Sequence, residues 1–327
     1  MVETTTKKMF EMLKQVLYLY LIVLYPVVAY CDSSEDVKQN NHLSVPLVQY
    51  DDMNLTSHRI QSTSAGLLLN REDVKFTGIY TQHEFNKSLS YDFPNMYHSI
   101  DTLLEVKNGR NQYIVILKSD SDQPISGGLS TLQAGAVYGK KLINNSRLSL
   151  VLGGGIAIGD FGIEVSDGEP WPVIPVPLVR MNYHPNLLDL NFEFLTSPNL
   201  NFTIAPKKRI RFTGDFRIDQ MRDSRDIIFE TNLVYRIFND NHKLGDFAGV
   251  SIGFKNDNVG PFALENKDKE ETVEVHYYSV FVTIDLSIIK LSVGRAFDGR
   301  LLYREDIKQD IGEGNFISVQ GMIPLPL

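Results

Sequence analysis

Arg209-Ile210-Arg211-Phe212-Thr213-Gly214-Asp215-Phe216-Arg217-Ile218-Asp219 is the stretch that decides the fold. Its even positions are apolar or Gly, and its odd positions are charged or carry a hydroxyl. A strand sends successive side chains to opposite faces. One face therefore carries Ile210, Phe212, Phe216 and Ile218, and the other Arg209, Arg211, Asp215, Arg217 and Asp219. The segment before it repeats the pattern, with Leu188, Leu190, Phe192 and Phe194 against Asp189, Asn191 and Glu193. The segment after it sets Ile227, Phe229, Leu233 and Tyr235 against Glu230, Asn232 and Arg236. A polar connection, Met221-Arg222-Asp223-Ser224-Arg225, joins the last two. Leu187 to Ile237 thus reads as an antiparallel meander with one apolar and one charged face. What remains open is the solvent that each face meets.

The bulk composition narrows the choices. The chain has 327 residues, 43% of them hydrophobic and 22% charged, which suits a folded domain and neither a helical membrane protein nor a disordered one. A formal net charge of -8 argues against a nucleic-acid partner. The single cysteine, Cys31, excludes a disulfide framework and a multi-cysteine metal site. The seven histidines show no ligand spacing, so no metal and no cofactor is expected.

Residues 1–31 read as an export signal. Lys7, Lys8 and Lys14 precede the apolar run Val16 to Tyr25, which Pro26 breaks. The run is short for a membrane span of about 20 residues. Cys31 is a candidate for lipid attachment, although Tyr30 fits that processing site badly; cleavage after Cys31, with Ala29 as the other small residue, fits the A-x-A rule better. Residues 32–42 form a polar spacer. Residues 43–327 are one β domain. Val74, Phe76 and Tyr80 alternate with Lys75 and Thr77, and Ile100, Thr102, Leu104 and Val106 with Asp101, Glu105 and Lys107. Asn108-Gly109 is a hairpin turn. Gly153-Gly154-Gly155 lies within a strand and predicts strong curvature. Trp171 to Leu178 holds three prolines and predicts an edge-like segment that becomes a strand near Leu178. Asn256 to Glu271 reads as a polar loop, and Asp298 to Glu313 as a charged stretch with room for a helical turn or two.

Two architectures share a period of two. In a β-sandwich the apolar face meets a second sheet. In an outer-membrane barrel it meets lipid, and the polar face lines a wet lumen. The export signal favours the barrel. So do alternation over the 9–11 residues a tilted strand needs and an uninterrupted meander with short and long connections in turn. The expectation is an all-β protein, an antiparallel up-and-down meander closed into a transmembrane β-barrel of roughly 12 strands, within about 10 to 14. The alternative is a periplasmic or lipid-anchored β-sandwich binding protein, held in the second case through Cys31. The two prolines of Ile323-Pro324-Leu325-Pro326-Leu327 are atypical for the last strand of a barrel.

Two stretches carry a family likeness. Trp171-Pro172-Val173-Ile174-Pro175-Val176-Pro177-Leu178-Val179 is a proline-punctuated lead-in to a strand. Leu190-Asn191-Phe192-Glu193-Phe194-Leu195-Thr196-Ser197-Pro198-Asn199-Leu200-Asn201-Phe202 is the other. On these the chain resembles bacterial outer-membrane β-barrels, in particular an uncharacterised barrel family of spirochaetes and Bacteroidetes. The resemblance implies a fold and an outer-membrane location, with lipid and small solutes as partners, and no reaction.

Catalytic motifs are scarce. No G-x-S-x-G occurs. His98 and Ser99 are adjacent, so on a strand they face opposite ways and cannot form a nucleophile–base pair. The carboxylates among Arg209, Arg211 and Arg217 read as a salt-bridged lumen rather than an acid–base pair. The expected function is a passive pore, a solute channel or a structural surface barrel, not an enzyme. The lumen-lining candidates are Asp189, Glu193, Arg209, Arg211, Asp215, Arg217, Asp219, Glu230 and Arg236.

Overall fold

The computed structural model describes residues 42–86, 94–123, 132–159, 173–195, 197–218, 227–237, 248–263, 272–286, 288–303 and 307–326. The expectations for residues 1–41, Cys31 included, fall outside these residues, as does Asp219.

The strands follow one another as a meander. The first eight are β1 (His42–Leu55), β2 (Arg59–Asn70), β3 (Val74–Phe85), β4 (Met96–Asn108), β5 (Asn111–Ser121), β6 (Leu132–Asn144), β7 (Leu148–Ile158) and β8 (Val173–Tyr183). The rest are β9 (Leu188–Phe194), β10 (Pro198–Ile204), β11 (Ile210–Ile218), β12 (Ile227–Arg236), β13 (Ala248–Ala263), β14 (Thr272–Leu286), β15 (Ile289–Tyr303) and β16 (Ile307–Pro326). Each pairs antiparallel with its neighbours in sequence, and β16 meets β1 to close a barrel. The β-sandwich alternative is therefore wrong, because one continuous ladder leaves no second sheet to pack against.

Sixteen strands replace the roughly twelve expected. The sequence reading did not separate β1, β2 and β10, and it ended other strands early where their polarity resembled loops. β13 runs on to Ala263 through Lys255, Asp257 and Asn258, inside the presumed polar loop. The charged stretch after Asp298 is the end of β15 and the start of β16, with Arg300 opposite Asp310, and holds no helix among its described residues. Pro198–Ile204 is a strand of its own, paired antiparallel with β9 from Pro198↔Phe194 to Ile204↔Leu188.

Alternation then fixes the faces. On β11 Ile210 is 59% exposed, whereas Arg211 and Asp215 on the other face are half-buried; Arg217 shares that face but is exposed near the end of the strand. Leu233 of β12 and Ile252 of β13 continue the exposed side. The apolar face points out of the barrel, which answers the question left by the sequence. The outer face carries a ribbon of aromatic rings from β10 to β15: Phe202, Phe216, Phe229, Phe254, Tyr278 and Phe297, with neighbouring centroids 5.3 to 6.3 Å apart. On β14 the outward residues from Tyr278 to Leu286 are apolar, and Glu274 and His276 follow above them. Eight residue steps on a strand tilted by about 40° rise about 20 Å. On β2 and β3 the outward Leu67, Leu69, Val74 and Phe76 are buried, so the exposed belt spans the strands from β5 onward.

The two rims differ. At one, residues 71–73, 109–110, 145–147, 184–187 and 205–209 make short turns, β14 and β15 are two residues apart, and β12 and β13 are separated by the longer interval 237–247. β1 starts and β16 ends at this rim. The other rim joins strands over five longer intervals, 86–95, 122–131, 159–172, 219–226 and 264–271, and three short ones, 56–58, 195–197 and 304–306.

Inside, two apolar clusters fill part of the barrel. One joins β1 to β4 with β13 to β16 through Met53, Leu55, Phe85, Tyr97, Phe262 and Tyr277, among others. The second holds Ile114, Val137, Val151, Val176, Leu178 and Leu195. The glycine run of β7 explains how the wall bends around this second cluster. A Cβ on Gly153 or Gly155 would stand 2.0 Å from the carbonyl oxygen of Tyr138 or Ala136 on β6, so no larger residue fits. Pro175 and Pro177 sit within β8, but β8 has no β9 partner before Val179. Their spacing of two turns both missing N–H groups to one edge, so the prolines remove no ladder bond there.

Candidate functional site

A continuous polar part of the interior lies on β8 to β13, between the two apolar clusters; Asp51 of β1, Asp101 of β4 and Lys118 of β5 face inward elsewhere. Register builds it. Because paired residues share a face, each inward polar position on one strand meets another on the next. One row across the wall reads Asn182, Asn191, Asn201, Asp215, Glu230 and Lys255. A second, nearer the short-turn rim, reads Asp189, Thr203, Thr213 and Asn232. A third, nearer the other rim, reads Arg180, Glu193, Asn199 and Arg217. Together they form a polar lane from rim to rim. A cavity of about 170 Å³ lies in it, lined by Asn191, Asn201, Thr203, Thr213, Asp215, Glu230 and Asn232 among others.

Charges in the lane are mostly paired. Arg180 Nε donates to Glu193 Oε2 at 2.8 Å, and Arg180 Nη1 lies 3.0 Å from Glu105 Oε2 and 3.3 Å from Gln112 Oε1. Glu105 and Gln112 stand on β4 and β5, so Arg180 reaches past β6 and β7 and ties β8 and β9 to β4 and β5. Glu105 is 2% exposed, which makes this tie a buried one. Nearby, Lys255 Nζ donates to Asp257 Oδ2 at 2.8 Å, and Arg217 Nη2 lies 3.5 Å from Asp257 Oδ1. Lys255 also rests over the rings of Tyr277 and Phe316, 5.8 and 5.7 Å from their centroids. Asp215 and Glu230 face each other directly in register, and Glu230 accepts from Asn232 Nδ2 at 2.8 Å.

The residues singled out from sequence fall as follows. Asp189, Glu193, Arg211, Asp215, Arg217, Glu230 and Arg236 share the inner face of β9, β11 and β12. Asp215 and Glu230 come together, Glu193 meets Arg180, and Asp189 Oδ1 lies 3.2 Å from His184 Nδ1. Arg209 lies in the exposed turn before β11, where its carbonyl accepts from the Arg236 N–H at 2.9 Å. The sequence reading missed Arg180, Glu105, Lys255 and Asp257. Arg180 was visible as a charged inward position within the alternation of β8, whereas Lys255 and Asp257 were hidden by the polarity around them.

A serine–histidine contact does form, but not between neighbours in sequence. Ser62 Oγ lies 2.8 Å from His83 Nδ1, and Ser99 Oγ lies 3.5 Å from His83 Nε2. Among the described residues no carboxylate hydrogen-bonds the ring, and Phe262 covers it at 5.0 Å. The arrangement lacks the orienting group and the access that a nucleophile–base pair needs. His83 is a core histidine with both nitrogens satisfied. Among the described residues no group of three or more His, Cys, Asp or Glu is placed to hold a metal ion.

No family model matches the chain, and no curated protein matches it in sequence. Among solved structures it is similar to CdiB from Acinetobacter baumannii, at 10% identity and a TM-score of 0.45 over 88% of this chain. The match spans 61% of the CdiB chain. OccD1 (OprD) matches at 9% identity and a TM-score of 0.38 over 90% of this chain and 98% of that one. OccK8 (OprE) from Pseudomonas aeruginosa matches at 10% identity and a TM-score of 0.32 over 87% and 98%. The barrel assignment stands on the closed ladder itself.

Proposed function

We propose that the chain is a β-barrel of a bacterial outer membrane that lets small solutes pass passively along its polar lane. One observation carries this reading: on the same strands of a closed ladder, apolar residues face out and charged residues face in. A soluble barrel has no reason to expose Ile210, Leu233 and Ile252 while turning Arg211, Asp215 and Arg217 inward. The difference between the rims supports it, since such barrels have short turns on the periplasmic side and longer loops outside. In this proposal residues 1–31 direct export, and Cys31 is either removed or lipidated. The partners are outer-membrane lipid and small solutes. Kinship with the spirochaete and Bacteroidetes barrels belongs to the proposal too, on the stretches Trp171 to Val179 and Leu190 to Phe202.

The test is twofold. The protein should need detergent for extraction and should shift on a gel when heated in SDS. Refolded into liposomes, it should then admit small sugars in a swelling assay. Release into buffer without detergent would sink the membrane reading. A second reading, a structural surface barrel, is favoured by the two apolar clusters that fill part of the interior. A folded, heat-modifiable barrel with no permeability would select it.

A further inference from the structure

Around the barrel β13 and β5 are eight strands apart, yet Ala263 pairs with Ser121 in a parallel bridge. Sixteen strands about 4.8 Å apart and tilted by about 40° give a circumference of about 100 Å, so a round barrel would hold opposite strands about 30 Å apart. The end of β13 therefore crosses the mouth. The β5–β6 ladder stops at Ser119↔Leu132, which leaves Ser121 an edge to offer.

Local chemistry turns β13 inward. Its ladder with β14 slips between Val259 and Phe262. Gly260 has φ 106°, and a Cβ there would stand 2.7 Å from the Val273 carbonyl oxygen. Pro261 follows and has no N–H to give to a straight ladder. Phe262 then lands fully buried against the opposite wall, its ring 4.7 Å from Tyr97 of β4 and 5.0 Å from His83 of β3. Val273, Val275 and Tyr277 follow it inward from β14, against Met53, Leu55 and Phe85.

We propose that the turned-in end of β13 shuts the half of the mouth bounded by β1 to β5 and β13 to β16, and that Phe262 sets the size limit on what enters. Passage is left to the polar lane on β8 to β13. The proposal rests on the channel reading and sharpens it: a wall of sixteen strands would otherwise enclose a wide aqueous channel. Phe262 has a role in specificity without touching the charged residues of the lane.

The full chain carrying Ser121→Cys and Ala263→Cys in a Cys31→Ser background tests the crossing. On mild oxidation the two thiols should join, although their strands lie on opposite sides of the barrel. Bilayer conductance should stay the same before and after. Phe262→Ala should raise conductance about threefold and admit larger sugars in liposome swelling, whereas Phe262→Trp should not. Failure of the cysteines to join overturns the proposal, even if Phe262→Ala does not fold. A wild type as permeable as Phe262→Ala overturns the proposal alone. Silence of every variant in a folded, heat-modifiable barrel overturns the channel reading and the proposal with it.

Discussion

Arg180→Ala tests whether the interior is held by charge. Arg180 contacts Glu193 at 2.8 Å and Glu105 at 3.0 Å. These contacts differ in weight. The Glu193 side chain is 35% exposed, so water takes over when the guanidinium goes, at a cost of about 1 kcal/mol or less. The Glu105 side chain is 3% exposed. Its remaining cation, Lys107, lies 3.3 Å from Oε1 but is itself 37% exposed. Removing Arg180 leaves a buried carboxylate poorly compensated, and breaking such a pair costs about 3 to 5 kcal/mol. We expect a loss near the lower end, about 3 kcal/mol, because Lys107 stays. Arg180→Met with Glu105→Met removes both charges and should lie within about 1 kcal/mol of wild type. The assay is urea titration of the barrel in lipid vesicles, scored by the fraction of heat-modifiable band. A loss under about 1 kcal/mol for Arg180→Ala, or a double variant as unstable as the single, would refute the idea that Arg180 ties β8 and β9 to β4 and β5.

Three further outcomes follow from the geometry. Ile252→Arg puts a charge on the outward apolar belt and, if that belt meets lipid as proposed, should cost about 2 to 4 kcal/mol in the same titration, while the inward Asn232→Arg should cost less than about 1 kcal/mol. Equal costs would mean that the belt does not meet lipid. Gly155→Val, whose Cβ would stand 2.0 Å from the Ala136 carbonyl oxygen, should cost about 3 kcal/mol or more. Gly154→Ala, with only the Val176 carbonyl oxygen at 3.4 Å, should fold normally in the gel-shift assay. Gly109 has φ 61° and open space around it, so Gly109→Asn should be nearly silent and Gly109→Val should cost about 1 to 2 kcal/mol, from the backbone alone.

The period of two was legible because it is local. Side chains alternate whatever the strand pairs with, so Arg209 to Asp219 announced a two-faced strand, and its neighbours announced a meander. Asn108-Gly109 marked its turn for the same reason. Where the strands end was not local in this sense. Lys255, Asp257 and Arg300 sit in strands because partners across the ladder hold them there, and their own polarity points to loops. The alternation also could not choose between lipid and a second sheet, since both are apolar. Only closure, from β16 back to β1, turned the apolar face outward. The candidate site divides along the same line. Which charges face inward on β9, β11 and β12 followed from parity alone. That Arg180 reaches Glu105, and that Phe262 reaches Tyr97 across the mouth, depends on contacts between residues 75 and 165 positions apart, for which strand alternation carries no signal.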